Sequence, residues 1–316
     1  MQKRPLGHSG LSTAPLVFGG NVFGWTADKA RSFELLDAFV DAGFNAIDTA
    51  DAYSIWAPGH SGGESETIIG EWLKARGHRD DVLILTKVGS DMGQGHNDLS
   101  PGWIEKAVED SLRRLQTDYI DLYQSHWPDP NTPQEETLRA LNRLVEAGKV
   151  RALGLSNHSA EATAEALAIS AREGLAAYQT VQPHYNLYSR ATFEGPLQDL
   201  AVEKGLSAIT YFSLESGFLS GKYRSVDDLQ GSPRVAALTN HFDERGSRIL
   251  ATLRAVAERN QATSAQVSLA WLMTRPAVAA PIVSATTLAQ LSDTLKAVEV
   301  KLSDQDIAEL TETSQA

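Results

Sequence analysis

The 316-residue chain contains no cysteine. That excludes disulfides, thiolate nucleophiles, Cys-ligated iron–sulfur clusters and Cys-based zinc sites, and it agrees with a cytoplasmic setting. Basic residues are in deficit: 28 Lys and Arg against 40 Asp and Glu leave a net charge of −12. Such a balance argues against general binding of nucleic-acid phosphates, while leaving room for a local basic pocket. Long apolar runs are lacking as well. An apolar-rich stretch such as 276–283 falls far short of the roughly 20 residues that span a bilayer, so no membrane association is expected. The chain begins Met-Gln-Lys-Arg-Pro with no apolar segment behind it, so no secretory signal is expected. His60, His96, His158 and His184 lack metal-ligand spacing, and no metal is assigned.

What is present reads as a folded globular chain: 42% of residues are hydrophobic and 22% charged. After a segment carrying Gly7, Ser9 and Gly10 between apolar flanks, read as a hairpin, strand-like and helix-like stretches alternate. Strands are expected at 17–19, 44–48, 82–87, 119–126, 150–155, 178–182, 206–211 and 280–283. Helices are expected at 29–42, 64–76, 101–115, 133–146, 160–173, 193–204, 247–260 and 288–298. Helix starts are marked by Pro101 after Ser100 and Pro133 after Thr132. Eight strand–helix pairs in one uninterrupted chain favour a single (β/α)8 TIM barrel over residues 1–316. A long irregular stretch, 212–245, follows the seventh strand of the barrel, a length typical of functional loops. A doubly wound dinucleotide domain would carry G-x-G-x-x-G after its first strand, but Gly19-Gly20-Asn21-Val22-Phe23-Gly24 is offset in its first glycines.

Asp48, Tyr53, Lys87 and His126 each fall at or just past the carboxyl end of a strand-like run, the end where barrel enzymes build their active sites. Their chemistry is complementary. Tyrosine is a poor acid near neutral pH, and a neighbouring ammonium favours the phenolate, so Lys87 would make Tyr53 a usable proton donor. Asp48 would keep a buried Lys87 charged. His126 would donate a hydrogen bond to a carbonyl oxygen, and together the groups would protonate a developing alkoxide. Taken singly, each has a plainer explanation: a strand-end aspartate caps turns, and a lone tyrosine or histidine packs. Lys87 is the hardest to explain away, because lysine is rarely buried without a partner.

The runs Phe44-Asn-Ala-Ile-Asp-Thr-Ala-Asp-Ala-Tyr53, Leu85-Thr-Lys87 and Asp121-Leu-Tyr-Gln-Ser-His-Trp-Pro128 resemble the signature segments of the aldo-keto reductases. The resemblance extends through Gly154-Leu-Ser-Asn-His158, Val181-Gln-Pro-His-Tyr-Asn186 and 214–223. It implies a catalytic tetrad of Asp48, Tyr53, Lys87 and His126, with Tyr53 as acid/base. It also implies a cofactor, NADP with NAD as the alternative, bound without a Rossmann domain. Ser156, Asn157 and Gln182 would hold the carboxamide and Tyr211 would stack on the nicotinamide, as amides, hydroxyls and an aromatic face can. The loop Phe212-Ser-Leu-Glu-Ser-Gly-Phe-Leu-Ser-Gly-Lys222 resembles the family's pyrophosphate clasp. Ser213, Leu214, Gly217 and Gly221 would bring backbone N–H groups to phosphate, and Lys222 would add charge.

Pro281-Ile-Val-Ser-Ala-Thr-Thr287 with Gln290 resembles the part that binds the adenosine 2′-phosphate, where Ser284, Thr286 and Gln290 would make contacts. Members preferring NADPH commonly carry Arg or Lys where this chain has Thr286 and Thr287, and often Asn at Thr294, which weakens the preference for NADP. Trp25, Trp56 and Trp127 fall in loops of the same face and would shape an apolar pocket for a small-molecule carbonyl substrate, or simply pack. The reading is an NAD(P)H-dependent reductase of aldehydes and ketones. Two rivals stand beside it: a cofactor-independent barrel isomerase using Lys87 and Asp48, and a cofactor-binding interaction subunit with negligible turnover. Substrate and oligomeric state are not legible in the sequence.

Overall fold

The computed structural model describes residues 1–230 and 238–315. Two short strands, β1 (Arg4–Pro5) and β2 (Ser12–Thr13), pair antiparallel ahead of the main sheet. Eight parallel strands follow: β3 (Val17–Gly19), β4 (Ala46–Asp48), β5 (Leu83–Val88), β6 (Ile120–Ser125), β7 (Val150–Ser156), β8 (Tyr178–Gln182), β9 (Ser207–Thr210) and β10 (Val278–Val283). Each pairs with its neighbour in sequence, and β10 closes on β3 with Ile282 opposite Val17. The hairpin and the closed (β/α)8 barrel are those the strand–helix alternation implied.

Around the barrel run α1 (Lys29–Asp41), α2 (Glu64–Arg76), α3 (Pro101–Leu115), α4 (Gln134–Glu146), α5 (Ala160–Glu173), α6 (Pro196–Lys204), α7 (Glu244–Arg259), α8 (Ser264–Met273), α9 (Leu288–Leu295) and α10 (Asp304–Thr313). Helix α3 shows why these segments are helical. The Ser100 hydroxyl accepts from the Trp103 amide, Pro101 fits the first turn, and Ile104, Ala107, Val108, Ser111, Leu112 and Leu115 form one buried stripe. The helix stops where Gln116 turns left-handed. Removing that cap with Ser100→Ala costs about 1 kcal/mol.

The sequence reading missed α8 and α10. In α8 every residue from Ser264 to Leu272 is buried, so no amphipathic period betrays it. Both helices nevertheless begin with a capping box, Thr263 with Gln266 and Ser303 with Asp306, a signal the sequence does carry. Helix α7 begins at Glu244, ahead of the expected 247, capped by Asp243. The stretch 212–245 contains 3-10 turns at Glu215–Ser220, Val226–Leu229 and Thr239–His241; its segment 231–237 lies outside the described residues.

Side chains alternate between the barrel interior and the helical layer. Ala46, Leu85, Leu122, Ala152, Ile209 and Ala280 pack inside with Leu6 and Leu11 of the hairpin, while Ile47, Ile84, Tyr123, Leu153 and Val181 pack outward. The Arg4 guanidinium donates to the carbonyls of Met273, Val278 and Ala279, which ties the hairpin to the start of β10. The same period-2 alternation that sets Ala46 and Leu85 inside carries Asp48 and Lys87 inward one step higher. Apolar layers thus fill the lower barrel and polar side chains occupy its carboxyl end.

Candidate active site

The register of the central strands determines who meets whom. Asp48 stands opposite Leu85, Lys87 opposite Gln124, and Ser156 opposite Gln182. Lys87 is fully buried and Asp48 is 1% exposed. The Lys87 ammonium donates to Asp48 Oδ2 at 2.7 Å, to the Thr49 carbonyl at 2.7 Å and to the Tyr53 hydroxyl at 2.9 Å. Those contacts fill its three donor positions. Tyr53 OH also lies 3.3 Å from Asp48 Oδ2. Tyr53 and His126 are only partly buried, so the groups nearest solvent are the two that would face a substrate.

Two residues not singled out from sequence complete the constellation. Gln182 Nε2 donates to Asp48 Oδ1 at 2.8 Å and to Gln124 Oε1 at 3.2 Å, so both amides converge on the aspartate. Gly154 makes this convergence possible, since a Cβ there would lie 2.3 Å from Thr180 Oγ1 and 3.0 Å from Gln124 Cγ. Ser90 Oγ sits 2.8 Å from His126 Nδ1. When that hydroxyl donates, Nε2–H is the proton-bearing nitrogen left for another acceptor. The inward alternation of Leu122 and Gln124 is the signal that could have revealed Gln124; Ser90 gave none.

Burial pushes Tyr53 well above its ordinary value, and the Asp48 charge pushes the same way. This reverses the expectation that Lys87 would draw the phenol down. The positive charge is already spent on Asp48, so the tyrosine is held as a neutral phenol with a proton to give. Burial likewise lowers Lys87, opposed by Asp48. Burial, then the Lys87 charge, hold His126 well below the usual histidine range, as a neutral imidazole.

The residues expected to hold a cofactor fall into two groups. In the first, Ser156 Oγ donates to the Gln182 carbonyl at 2.8 Å. Asn157 Nδ2 donates to the His126 carbonyl at 3.0 Å, and Tyr211 OH donates to Asn157 Oδ1 at 2.7 Å. Asn157 adopts φ +60°, a left-handed conformation that asparagine tolerates. Trp127, Asn157, Gln182, His184 and Tyr211 help line a cleft of about 400 Å³ beside the quartet. Gln182 therefore belongs as much to Asp48 as to any carboxamide.

The second group lies on the β9 and β10 loops. Ser213 is buried and donates to the Thr210 carbonyl. Phe212, Glu215 and Ser216 all have positive φ, followed by Gly217 at +96°, and Leu214 precedes the 3-10 turn that Gly221 ends. Strain of this kind persists only where surroundings enforce it. Here Glu215 supplies the anchor. One carboxylate oxygen accepts from His184, Asn186 and Ser189, and the other from His241. Although burial raises the Glu215 carboxyl, these bonds outweigh it and bring it to about 2. Lys222 lies 4.5 Å over the Tyr223 ring. Ser284 donates to the Gly19 carbonyl and Asn21, and Thr286 to Gln290.

Trp25 and Trp56 meet edge to face at 5.8 Å, Trp56 lies 5.8 Å from the Tyr53 ring, and Trp127 stacks on His126 at 5.7 Å. All three tryptophans are at least 40% exposed, so they flank the reactive groups as an open apolar rim. Phe212, which opens the loop after β9 and was given no role of its own from sequence, is 50% exposed and lies 5.3 Å from the Tyr211 ring.

The aldo/keto reductase family model matches residues 15–315. The chain belongs to that family. Among similar proteins, protein tas of Escherichia coli is 30% identical over 98% of this chain and 96% of its own length. The uncharacterized oxidoreductase YrpG of Bacillus subtilis is 34% identical over 97% of this chain and 94% of its own. A probable voltage-gated potassium channel subunit beta of rice is 34% identical over 95% and 92%. Family membership carries an oxidoreductase role for the chain. Among the described residues no helix is long and apolar enough to cross a membrane.

Proposed function

We propose that the chain, acting as one barrel domain over residues 1–316, is an NAD(P)H-dependent reductase of small-molecule aldehydes and ketones. The observation that carries the reading is the shared hydrogen-bond system of Asp48, Lys87 and Tyr53, in which the hydroxyl of the partly buried Tyr53 lies 2.9 Å from a buried ammonium. The residues present fit a nicotinamide: Ser156 and Asn157 offer a hydroxyl and an amide, Tyr211 offers a ring face, and left-handed Gly221 at the end of the turn has no side chain to shield its backbone N–H. A bound reduced nicotinamide would supply a hydride.

This chain's residues handle the proton. Tyr53 gives its hydroxyl proton to the oxygen of the forming alcohol. Lys87 stabilises the phenolate left behind, and Asp48, braced by Gln182, holds Lys87 in place. Neutral His126, oriented by Ser90, donates to the carbonyl oxygen. The tryptophan rim gives the substrate's apolar part a dry contact surface. Cofactor choice rests on Ser284, Thr286 and Gln290, whose hydroxyls and amide suit either nucleotide.

Titration with NADPH and NADH, followed by turnover on a mixed aldehyde panel, tests the reading. Tryptophan quenching by at least one reduced nucleotide and consumption of it with an aldehyde are expected. Binding of neither removes the proposal. Quenching without turnover on any carbonyl would instead favour a cofactor-binding subunit.

A further inference from the structure

Behind the quartet lies a second set of buried polar groups. The Asp51 amide donates to the Lys87 carbonyl at 3.3 Å, which places this loop residue against the end of β5. Asp51 is 2% exposed, and neither carboxylate oxygen has a well-formed hydrogen bond; the Arg114 charge, the Ala52 amide and the Lys87 charge favour its ionised form, and burial with the Glu66 charge outweighs them. The charged and titratable groups facing it come from every neighbouring element. They are Glu66 of α2, Lys87 of β5, Arg114 of α3, Tyr123 of β6, and Asp48 and Tyr53 across Lys87.

Both nearby cations are committed elsewhere. Arg114 is turned to Glu66 Oε2 at 2.7 Å, and the other Glu66 oxygen is held by Thr86. The three protons of Lys87 go to Asp48, Thr49 and Tyr53. A carboxyl so buried, beside the Glu66 charge and with no cation turned to it, is more stable neutral than ionised.

Resting on the reductase reading, we propose that Asp51 is a positioning residue that stays protonated at neutral pH and sets the alkaline limit of carbonyl reduction by acting on Tyr53 through Lys87. While Asp51 is neutral, the nearest negative charge on Lys87 is that of Asp48, and Tyr53 and the Thr49 carbonyl take its other protons. Once Asp51 ionises, a further negative charge beside Lys87 opposes phenolate formation, so Tyr53 becomes a weaker proton donor. Burial first, then the Glu66 charge, push the Asp51 carboxyl up to about 8, which puts the change at mildly alkaline pH.

The test is single-turnover hydride transfer from reduced nicotinamide to an aldehyde, from about pH 6 to 10, in wild type and Asp51→Asn. Wild type should lose up to about threefold in rate as Asp51 ionises, roughly half a unit of tyrosine acidity passed on through Lys87. Asp51→Asn, an amide close in shape to the neutral acid, should match wild type near neutrality and lack that inflection. A wild type that transfers no hydride overturns the functional reading. A wild type that does, with a profile unchanged by Asp51→Asn, overturns this inference alone.

A stability readout is independent of activity. A carboxyl raised in the folded state contributes stability that is full below its unfolded value and lost as pH rises through the folded one. Wild type should therefore lose ground to Asp51→Asn in urea unfolding between about pH 4 and 8; a gap that does not change with pH contradicts the inference. If the variant fails to fold, carbon-13 NMR of aspartate-labelled wild type decides. One carboxyl still protonated at pH 7 supports it, and uniform ionisation overturns it.

Discussion

On the β4–β6 side of the site, the polar atoms of Asp48, Lys87 and Gln124 are buried and bonded to one another across strands. On the β9–β10 side, Lys222, Ser284 and Gln290 are exposed, and the polar contacts of Thr286 and Gln290 stay within a turn of sequence. The first wall is fixed by folding itself. Its geometry costs desolvation in every molecule, and that investment serves a charge that appears only during reaction. The second wall keeps groups in water whose local bonds a nucleotide can exchange. On the proposed reading, proton handling is preorganised here and cofactor capture is adaptable.

The largest expected effect breaks the rigid wall. Lys87→Met leaves the Asp48 carboxylate buried without its cation, which should cost about 3–5 kcal/mol of stability and abolish turnover. Urea unfolding checks the first and an aldehyde assay the second. If the variant unfolds like wild type, that wall is not preorganised by the ion pair.

Gln182→Ala should cost less. It removes the 2.8 Å bond to Asp48 Oδ1, a charged hydrogen bond worth about 1.5–3 kcal/mol. Turnover should fall roughly tenfold to a hundredfold, with nicotinamide affinity reduced as well. A change in affinity alone would assign Gln182 wholly to the cofactor.

The strap after β9 supplies an intermediate case through Glu215. Its carboxyl is lowered in the folded state to about 2, so its contribution to stability is present above its ordinary value near 4.5 and lost as pH falls toward 2. Glu215→Gln should therefore be less stable than wild type at neutral pH, and the two should converge in acid. A gap that persists unchanged at low pH would show that His184 and His241 do not anchor the strap through its charge.

The smallest effect belongs to the exposed wall. Lys222→Ala should weaken nucleotide binding by only about 0.2–1 kcal/mol, and less so at high salt. Fluorescence titration at low and high ionic strength measures this. A loss independent of salt would mean that the ammonium is sequestered rather than solvated.

The same contrast governs what could be read from the sequence. Barrel strands and the quartet were legible because period-2 alternation and strand-end polar residues are local signals. Gln124 was harder, since its role depends on Gly154 of the neighbouring β7 leaving room beside it and on Asp48, 76 residues away in sequence. Ser90 and Glu215 act through residues distant in sequence, His126 and His241, and nothing near either residue announces the pairing. Helix α8 escaped because it is buried all round. The direction of the Tyr53 shift was misjudged because a list of residues shows the Lys87 charge but not that Asp48 had already claimed it. The segments expected to hold a cofactor were singled out by resemblance, yet the hydroxyls of Thr286 and Ser284 do not select one nucleotide by their chemistry.

On the proposed mechanism Tyr53 gives the proton in a hydride-transfer reaction whose cofactor it does not hold. Tyr53→Phe removes the hydroxyl and keeps the ring, so the most direct measurement compares nucleotide binding and aldehyde turnover in that variant and wild type. Equal tryptophan quenching by the reduced nucleotide is expected in both, with a loss of at least about a hundredfold in turnover in the variant, the scale of a lost general acid. Turnover retained in Tyr53→Phe would contradict that mechanism.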